Sequence, residues 1–319
     1  LSVSPWLSVV MPVYNGEAYV GAALDSIVEQ GDAGIECVVV DDGSSDASID
    51  VVKGFDGRLP ITVVEGPRRG NWVAATNDGL LRTSATYACM LHQDDVWLPG
   101  RARRMRSLIE AFPDAALWVQ SAEFVDAAGA GAGRWRLPFA GATGMVASGE
   151  FVRRLLIQNF LCIGAPVFRR DPEPLDESLW YTADWDLWLR LAAMGDVAYD
   201  RAPGVAFRVH PHSQTSTRTA HADDMRAQLQ QPFDRHFARW RTGRPTGEQR
   251  RLERAARAAI ELNVALAAVS HGDRRLLARA ARQFVGLGPS SALDLLRSSR
   301  LPERLAARVR ADVRARRRR

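Results

Sequence analysis

The sequence predicts an α/β protein, a mainly parallel sheet flanked by helices and followed by a helical C-terminal appendage. Three observations carry this. Short apolar runs alternate with amphipathic stretches through the first half of the chain, the signature of repeated βα units. Each run delivers its polar residues at its C-terminal end, the edge at which open α/β sheets bind ligands. From about Ala220 the pattern changes to an Arg- and Ala-rich helical periodicity. With 319 residues, 46% of them hydrophobic, the chain can build about two domains. The change of pattern divides it at 1–218 and 219–319.

Leu7–Val13 (LSVVMPV) is the first strand, and Glu17–Gln30 is the helix after it, with Ala18, Ala22 and Ile27 among its small and apolar positions. Ile35–Val40 (IECVVV) is the second strand and stops at DDGSSD, where Ser45 or Asp46 can cap the next helix. Pro60–Glu65 is the third, and GPRRGN turns it into a helix from about Trp72 to Arg82. Thr86–Leu91 is the fourth, and Pro99 suits the first turn of the helix beyond it. After the run Ala116–Val125, the Gly- and Ala-rich segment Ala127–Gly149 is expected to be a long loop or hairpin near the site. A helix around Glu150–Gln158, an irregular stretch NFLCIGAPVFRRD, a helix over Ala183–Met194 and two short strands, DVAYD and GVAFRVH, close the first domain near His212. The appendage breaks near Gly243–Gly247, Gly286–Pro289 and Pro302.

The net charge of +5 is concentrated at one end. Arg297–Arg319 holds ten arginines against Glu303 and Asp312, a segment charge of +8 that leaves about −3 for residues 1–296. Basic character is therefore a property of the tail, and a nucleic-acid-binding core is not implied. Three cysteines, Cys37, Cys89 and Cys162, are odd in number, widely spaced and mostly set in apolar runs. Neither a disulfide framework nor a zinc cluster is expected, and a reducing cytosolic setting fits. No secretory leader is legible at Leu1, and no apolar run approaches the ~18 residues needed to span a bilayer. A cytoplasmic protein is expected, with peripheral attachment to the inner face of a membrane as an open alternative.

Asp94 and Asp95 stand side by side where the apolar run YACML gives way to the basic WLPGRARRM. Two unit charges about 4 Å apart repel by ~1 kcal/mol in water and ~4 kcal/mol at the effective dielectric of a protein surface. Something positive should offset that. At the ends of the first two strands, Pro12, Val13 and Tyr14 present a backbone edge and Asp41 a carboxylate, groups that can pair with the edge of a nucleobase. Asp42, Ser44 and Asp46 could equally form a plain turn and helix cap.

Six segments, taken in order, resemble the family-2 inverting glycosyltransferases of the GT-A fold: VVMPVYNGE, VVVDDGSSD, GNWVAATNDGL, HQDDVWLPG, ADWDLWLRL and FRVHPHSQTS, covering about residues 7–216. The resemblance implies a nucleoside-diphosphate sugar as donor, held by Pro12, Tyr14, Glu17, Asp41 and Asp42, with Asn71 and Asn77 lining the nucleotide pocket. Asn71 could instead simply cap a helix. The resemblance makes Asp95 the ligand of a Mg²⁺ or Mn²⁺ ion carried by the diphosphate, which answers the repulsion of the acidic pair, and puts Asp94 on the ribose or donor sugar. It makes His210 a second metal or diphosphate contact, with His212 as the competing histidine, and Asp184 the general base. Asp186, two residues on, is expected to favour the helix dipole instead. Trp180 is a candidate acceptor platform beside Trp185 and Trp188, which suit core packing equally well.

The sequence departs from the family's usual pattern at His92 and Ala183, where acids are common. A catalytically idle sugar-nucleotide binder is one alternative. A nucleotidyltransferase is another, although PVYNGEAYV lacks the glycine series and lysine of a phosphate loop. The implied partners are the sugar nucleotide, a glycan or lipid-linked acceptor of cell-envelope or polysaccharide assembly, an anionic membrane surface met by the basic tail and, as an open alternative, a second copy of the chain in a homodimer.

Overall fold

The computed structural model describes residues 4–170, 173–211, 213–214, 221–241, 246–271, 273, 275–299, 306 and 310. Ten strands form one mixed sheet: β1 (Leu7–Val13), β2 (Ile35–Asp41), β3 (Ile61–Glu65), β4 (Tyr87–Met90), β5 (Val96–Trp97), β6 (Leu117–Asp126), β7 (Gly131–Trp135), β8 (Thr143–Val146), β9 (Val167–Arg169) and β10 (Val197–Val209). The order is β3-β2-β1-β4-β9-β6-β10-β5, with β7 on β6 and β8 on β10. Pairing is parallel across β3-β2-β1-β4 and again between β6 and β10. These strands are connected by α1 (Val20–Val28), α2 (Ser48–Lys53), α3 (Trp72–Leu80), α4 (Arg101–Ala111), α5 (Ser148–Ile157) and α6 (Ala183–Met194).

Both faces of the sheet are covered, which is why its strands read as near-continuous apolar runs. Along β6 the side chains alternate between two cores, Leu117 and Val119 entering one, Trp118 and Ala122 the other. Helix α3 lies so close to the sheet that a Cβ at Gly79 would sit 2.4 Å from Val10 Cγ1. The close contact is made by the last turn of α3 on the middle of β1, whose C-terminal end lies beyond it at Val13. The edge at which ligands are expected is where β1 and β2 end in register, Val13 opposite Asp41.

The appendage is four helices among the described residues: α7 (Ala222–Trp240), α8 (Gly247–Ser270), α9 (Arg275–Gly286) and α10 (Gly288–Ser299). Met225, Phe233, Leu252 and Ile260 of α7 and α8 enter the same core as Phe151 of α5 and Trp188 of α6. The appendage is thus joined to the N-terminal half through shared apolar burial.

Several local expectations change. Gly100, not Pro99, starts α4, as its N-cap at φ 74°, so the proline stands outside the first turn. Ala47 is the N-cap of α2 without a side-chain bond, while Asp46 Oδ1 accepts the Ser48 amide at 3.0 Å. DVAYD and GVAFRVH are one bulged strand, β10, because Arg201–Gly204 only shifts its register. The stretch NFLCIGAPVFRRD contains β9, inserted antiparallel between β4 and β6. The segment Ala127–Gly149 carries β7 and β8, which pair with β6 and β10. A further break at His271 separates α8 from α9. The Pro302 break, His212 and the basic tail beyond Arg310 lie outside the described residues.

Candidate functional site

The first strand turn and the acidic motif are joined by a residue to which the sequence assigned no role. Tyr14 donates its amide to Gln93 Oε1 at 2.8 Å and accepts from Gln93 Nε2 at 3.0 Å. Pro12, buried in β1, and Tyr14 are thereby fixed against the turn that carries Asp94 and Asp95. Asp41 is buried and accepts the Ser44 amide at 3.1 Å. Asp42 accepts the amides of Arg69 at 2.6 Å and Gly70 at 2.8 Å, tying the GPRRGN turn to the end of β2. Gly43 makes the close approach there: it has φ +75°, and a Cβ would lie 2.7 Å from the Arg68 amide nitrogen. Arg68 in turn lays its guanidinium 3.3 Å from the centroid of the Tyr14 ring.

Three residues expected at the nucleotide are engaged elsewhere. Glu17 is exposed, and its Oε2 accepts the Ala47 amide at 3.0 Å, steadying the start of α2. Asn71 is the N-cap of α3, accepting from Val73 at 3.0 Å and donating to the Glu177 carbonyl at 3.1 Å. Asn77 exchanges both its amide groups with the Leu175 backbone, at 2.8 and 3.0 Å. These asparagines pin the 175–177 segment to α3, which a buried amide near a helix does well.

At the acidic pair, Asp94 Oδ2 lies 2.9 Å from His210 Nε2, and Arg208 Nε donates to the Asp94 carbonyl at 2.7 Å. Arg208 also donates its amide to Asp95 Oδ1 at 2.9 Å, so the end of β10 grips the turn from one side. Burial works against ionisation of Asp94, but the His210 hydrogen bond and the charges of His92 and His210 hold its carboxyl below the usual range. Asp95 behaves oppositely: burial first, then the Asp94 charge, push it well above. Its Oδ2 is buried and has no hydrogen-bond partner among the described residues. His92 packs edge-on against Trp72 at 5.1 Å, and burial pushes its imidazole down.

An orphaned, buried carboxylate oxygen beside a second carboxylate fits a hard divalent cation. The described residues contain no cluster of three or more His, Cys, Asp or Glu side chains able to hold one. The remaining ligands would have to be phosphate oxygens and water, as Mg²⁺ commonly takes them. His210 is placed on Asp94 and not on Asp95.

Asp184 stands in the first turn of α6, where Asn159 Nδ2 donates to its Oδ2 at 3.0 Å. Burial raises its carboxyl to about 6, against the pull of the Trp185 amide, Asn159 and Trp188. The charges of Asp95 and Asp184 both act on the buried Cys162 thiol, which burial has already pushed up. Cys162 opens a buried turn in which its carbonyl accepts the Ala165 amide at 2.9 Å. Arg101, itself fully buried, holds that turn by donating to the Gly164 carbonyl at 2.8 Å. Asp186 is more than a dipole partner: Arg235 at 2.9 Å, His236 at 2.9 Å and Arg190 at 3.2 Å surround it, which corrects the simpler expectation. Trp185 and Trp188 are core residues, while Trp180 accepts from Trp72 Nε1 at 2.6 Å and donates to Asp224 at 3.1 Å.

The structure thus brings Tyr14, Asp94, Asp95 and His210 together, while Asp184 is held by Asn159 at the start of α6. It adds Gln93, Asn159, Arg68 and the gripping role of Arg208. An arginine among apolar residues in VAFRVH was a legible signal for the last; Asn159 and Gln93 carried none.

The fold is that of the GT-A glycosyltransferases. The model of glycosyl transferase family 2 matches residues 8–157. An uncharacterized glycosyltransferase of Rickettsia typhi is 25% identical over 221 residues, 67% of each chain. Glycosyltransferase GlyA of Streptococcus pneumoniae is 42% identical over 95 residues, 29% of this chain and 13% of that one. Among solved structures, S. aureus TarS in complex with UDP-GlcNAc superposes with a TM-score of 0.58 at 17% identity, covering 92% of both chains. A mannosyltransferase of Pyrobaculum calidifontis, in complex with GDP-Man and Mn²⁺, gives 0.56 at 16% identity, covering 97% of this chain and 88% of that one. At such identities these structures speak for the shared fold.

Proposed function

We propose that the chain moves a sugar from a nucleoside-diphosphate donor to an acceptor hydroxyl with inversion at the anomeric carbon. The observation that carries this is Asp184, a carboxylate raised to about 6 and fixed by Asn159 at the start of a buried helix. A base poised there is largely ionised at neutral pH yet basic enough to take a proton. Asp184 removes the acceptor proton as the hydroxyl oxygen bonds to the anomeric carbon; the donor's carbon–oxygen bond breaks and its electrons leave with the diphosphate. Ala183, where the family often has an acid, is fully buried in the core, so Asp184 acts without a carboxylate neighbour on that side.

Pro12, Tyr14 and Asp41 line the base and ribose end, and Asp94, oriented by His210 and Arg208, faces the ribose or sugar. A Mg²⁺ or Mn²⁺ on Asp95 would neutralise the departing diphosphate. The relatives crystallised with UDP-GlcNAc or GDP-Man and Mn²⁺ support a sugar nucleotide and a divalent ion. We place the acceptor among glycans or lipid-linked hydroxyls of envelope or polysaccharide assembly, reached at an anionic membrane surface to which the basic tail is attracted.

The test is Asp184→Asn, assayed against a panel of sugar nucleotides with nucleotide affinity measured in parallel. Transfer should fall by ~10² to 10⁴ fold, the usual share of a general base, with nucleotide affinity unchanged. Undiminished transfer would remove Asp184 from the mechanism.

A further inference from the structure

Helix α9 is apolar over a wider arc than the protein buries. At about 100° per residue, Leu276, Leu277, Ala280, Ala281, Phe284 and Val285 sweep about half of its circumference. Only part of that arc meets the body. Ala280 is buried and Leu276 and Phe284 are partly buried against the main core, whereas Leu277 is 37% and Val285 81% exposed, with Ala281 exposed between them. The opposite face carries Arg275, Arg279 and Arg282, all exposed, of which Arg279 pairs with Glu261 of α8 at 3.5 Å, and the helix has no acidic residue. Exposed apolar side chains at i, i+4 and i+8, flanked by arginines, are the pattern of a helix lying in a membrane interface.

We infer that the exposed Leu277–Ala281–Val285 stripe of α9 inserts into the surface of an anionic lipid bilayer while Arg275 and Arg282 contact its headgroups. The partner follows from charge. The 20 residues after Ser299 add nine arginines against Glu303 and Asp312, so the polypeptide adjoining α9 and α10 is strongly cationic. Clustered arginines beside an amphipathic helix favour acidic lipids, and apolar insertion makes the attachment less sensitive to salt than charge alone. No helix among the described residues is long and apolar enough to cross a membrane, so the attachment is superficial. The inference rests on the membrane reading above only for its partner; it assigns the docking element to a folded helix and not to the tail.

The experiment is co-sedimentation of the full chain with vesicles of phosphatidylcholine alone and of phosphatidylcholine with phosphatidylglycerol, at low and high salt. The wild-type chain should bind the anionic vesicles. Leu277→Asn/Val285→Asn should weaken that binding at least tenfold while leaving thermal unfolding unchanged, since neither side chain is in the core. Binding by the double variant equal to wild type, but lost on removal of residues 303–319, would overturn the role of α9 and leave the tail alone. No binding of the wild type to anionic vesicles would overturn both readings. A dimer in solution that the double variant dissociates would overturn the lipid assignment, because the stripe would then be covered by a second copy.

Discussion

His236 Nε2 lies 2.9 Å from Asp186 Oδ1, and Arg235 Nη1 reaches the same oxygen at 2.9 Å. A carboxylate two residues from the proposed base is thus held by the helical appendage. Burial disfavours the charge on Asp186, but the His236 hydrogen bond and the charges of His236, Arg235 and Arg190 keep its carboxyl below the usual range. Gln228, eight residues earlier on α7, accepts from the Tyr181 amide at 3.1 Å, donates to the Ser178 carbonyl at 2.8 Å and offers its own carbonyl to Thr182 at 2.7 Å. The segment leading into Asp184 is therefore zippered to α7.

Removing one partner from a buried carboxylate leaves a desolvated charge less compensated. His236→Leu should cost about 1 to 3 kcal/mol and lower Tm. His236→Gln, which can return an amide donor to the same place, should recover most of the loss. Thermal unfolding of the full chain at pH 7 reads both; equal losses would show that ring packing, and not the hydrogen bond, matters.

The base sets the pH dependence of the reaction. Burial raises Asp184 to about 6, so transfer should fall on the acid side of pH 6 as the carboxyl takes up its proton. The sign for stability is the reverse. Folding raises this pKa, so the contribution is full below the ordinary carboxylate range and is lost as pH rises through about 6. Asp184→Asn should therefore stabilise the protein at pH 7.5 by on the order of 2 kcal/mol, a gain that shrinks toward pH 4.5. Unfolding curves at the two pH values decide it.

Asp95 Oδ2 is the buried oxygen that a cation would satisfy. Wild-type protein should bind its nucleoside diphosphate at least tenfold tighter with Mn²⁺ than with chelator, a difference of about 1.4 kcal/mol. Asp95→Asn should bind equally weakly in both. Calorimetric titration with UDP and GDP measures this, and metal-boosted binding by the variant would move the ion to another residue.

Restoring the family's common acid should fail here. Ala183 is fully buried in the core, so Ala183→Glu pushes two more side-chain carbons, ending in a charged carboxylate, into tightly packed apolar surroundings. A loss of about 3 kcal/mol or more, or insoluble protein, is expected. A variant as stable as wild type would mean that the start of α6 can rearrange.

The first four strands were legible to within about a residue, because the largely buried parallel strands β1, β2 and β4 leave uninterrupted apolar runs and the half-exposed edge strand β3 keeps a short one. β9 was not, since three residues show no period, and its place between β4 and β6 depends on pairing across long stretches of chain. The same holds at the site. Asp94 and Asp95 stood out as adjacent carboxylates and Asp184 through the family resemblance, whereas Asn159, Gln93 and Arg101 are ordinary residues whose importance comes from what they reach.

By itself, the sequence determined the α/β class, the extent of the first four strands and the identity of the acidic residues at their ends, since apolar period and side-chain chemistry are local properties. Only the tertiary structure decided that Asn77 serves the 175–177 segment, that His210 sits on Asp94, and that α7 holds the base helix. Those assignments depend on distances between residues far apart in the chain. Packing fixes such distances, and no local pattern encodes them.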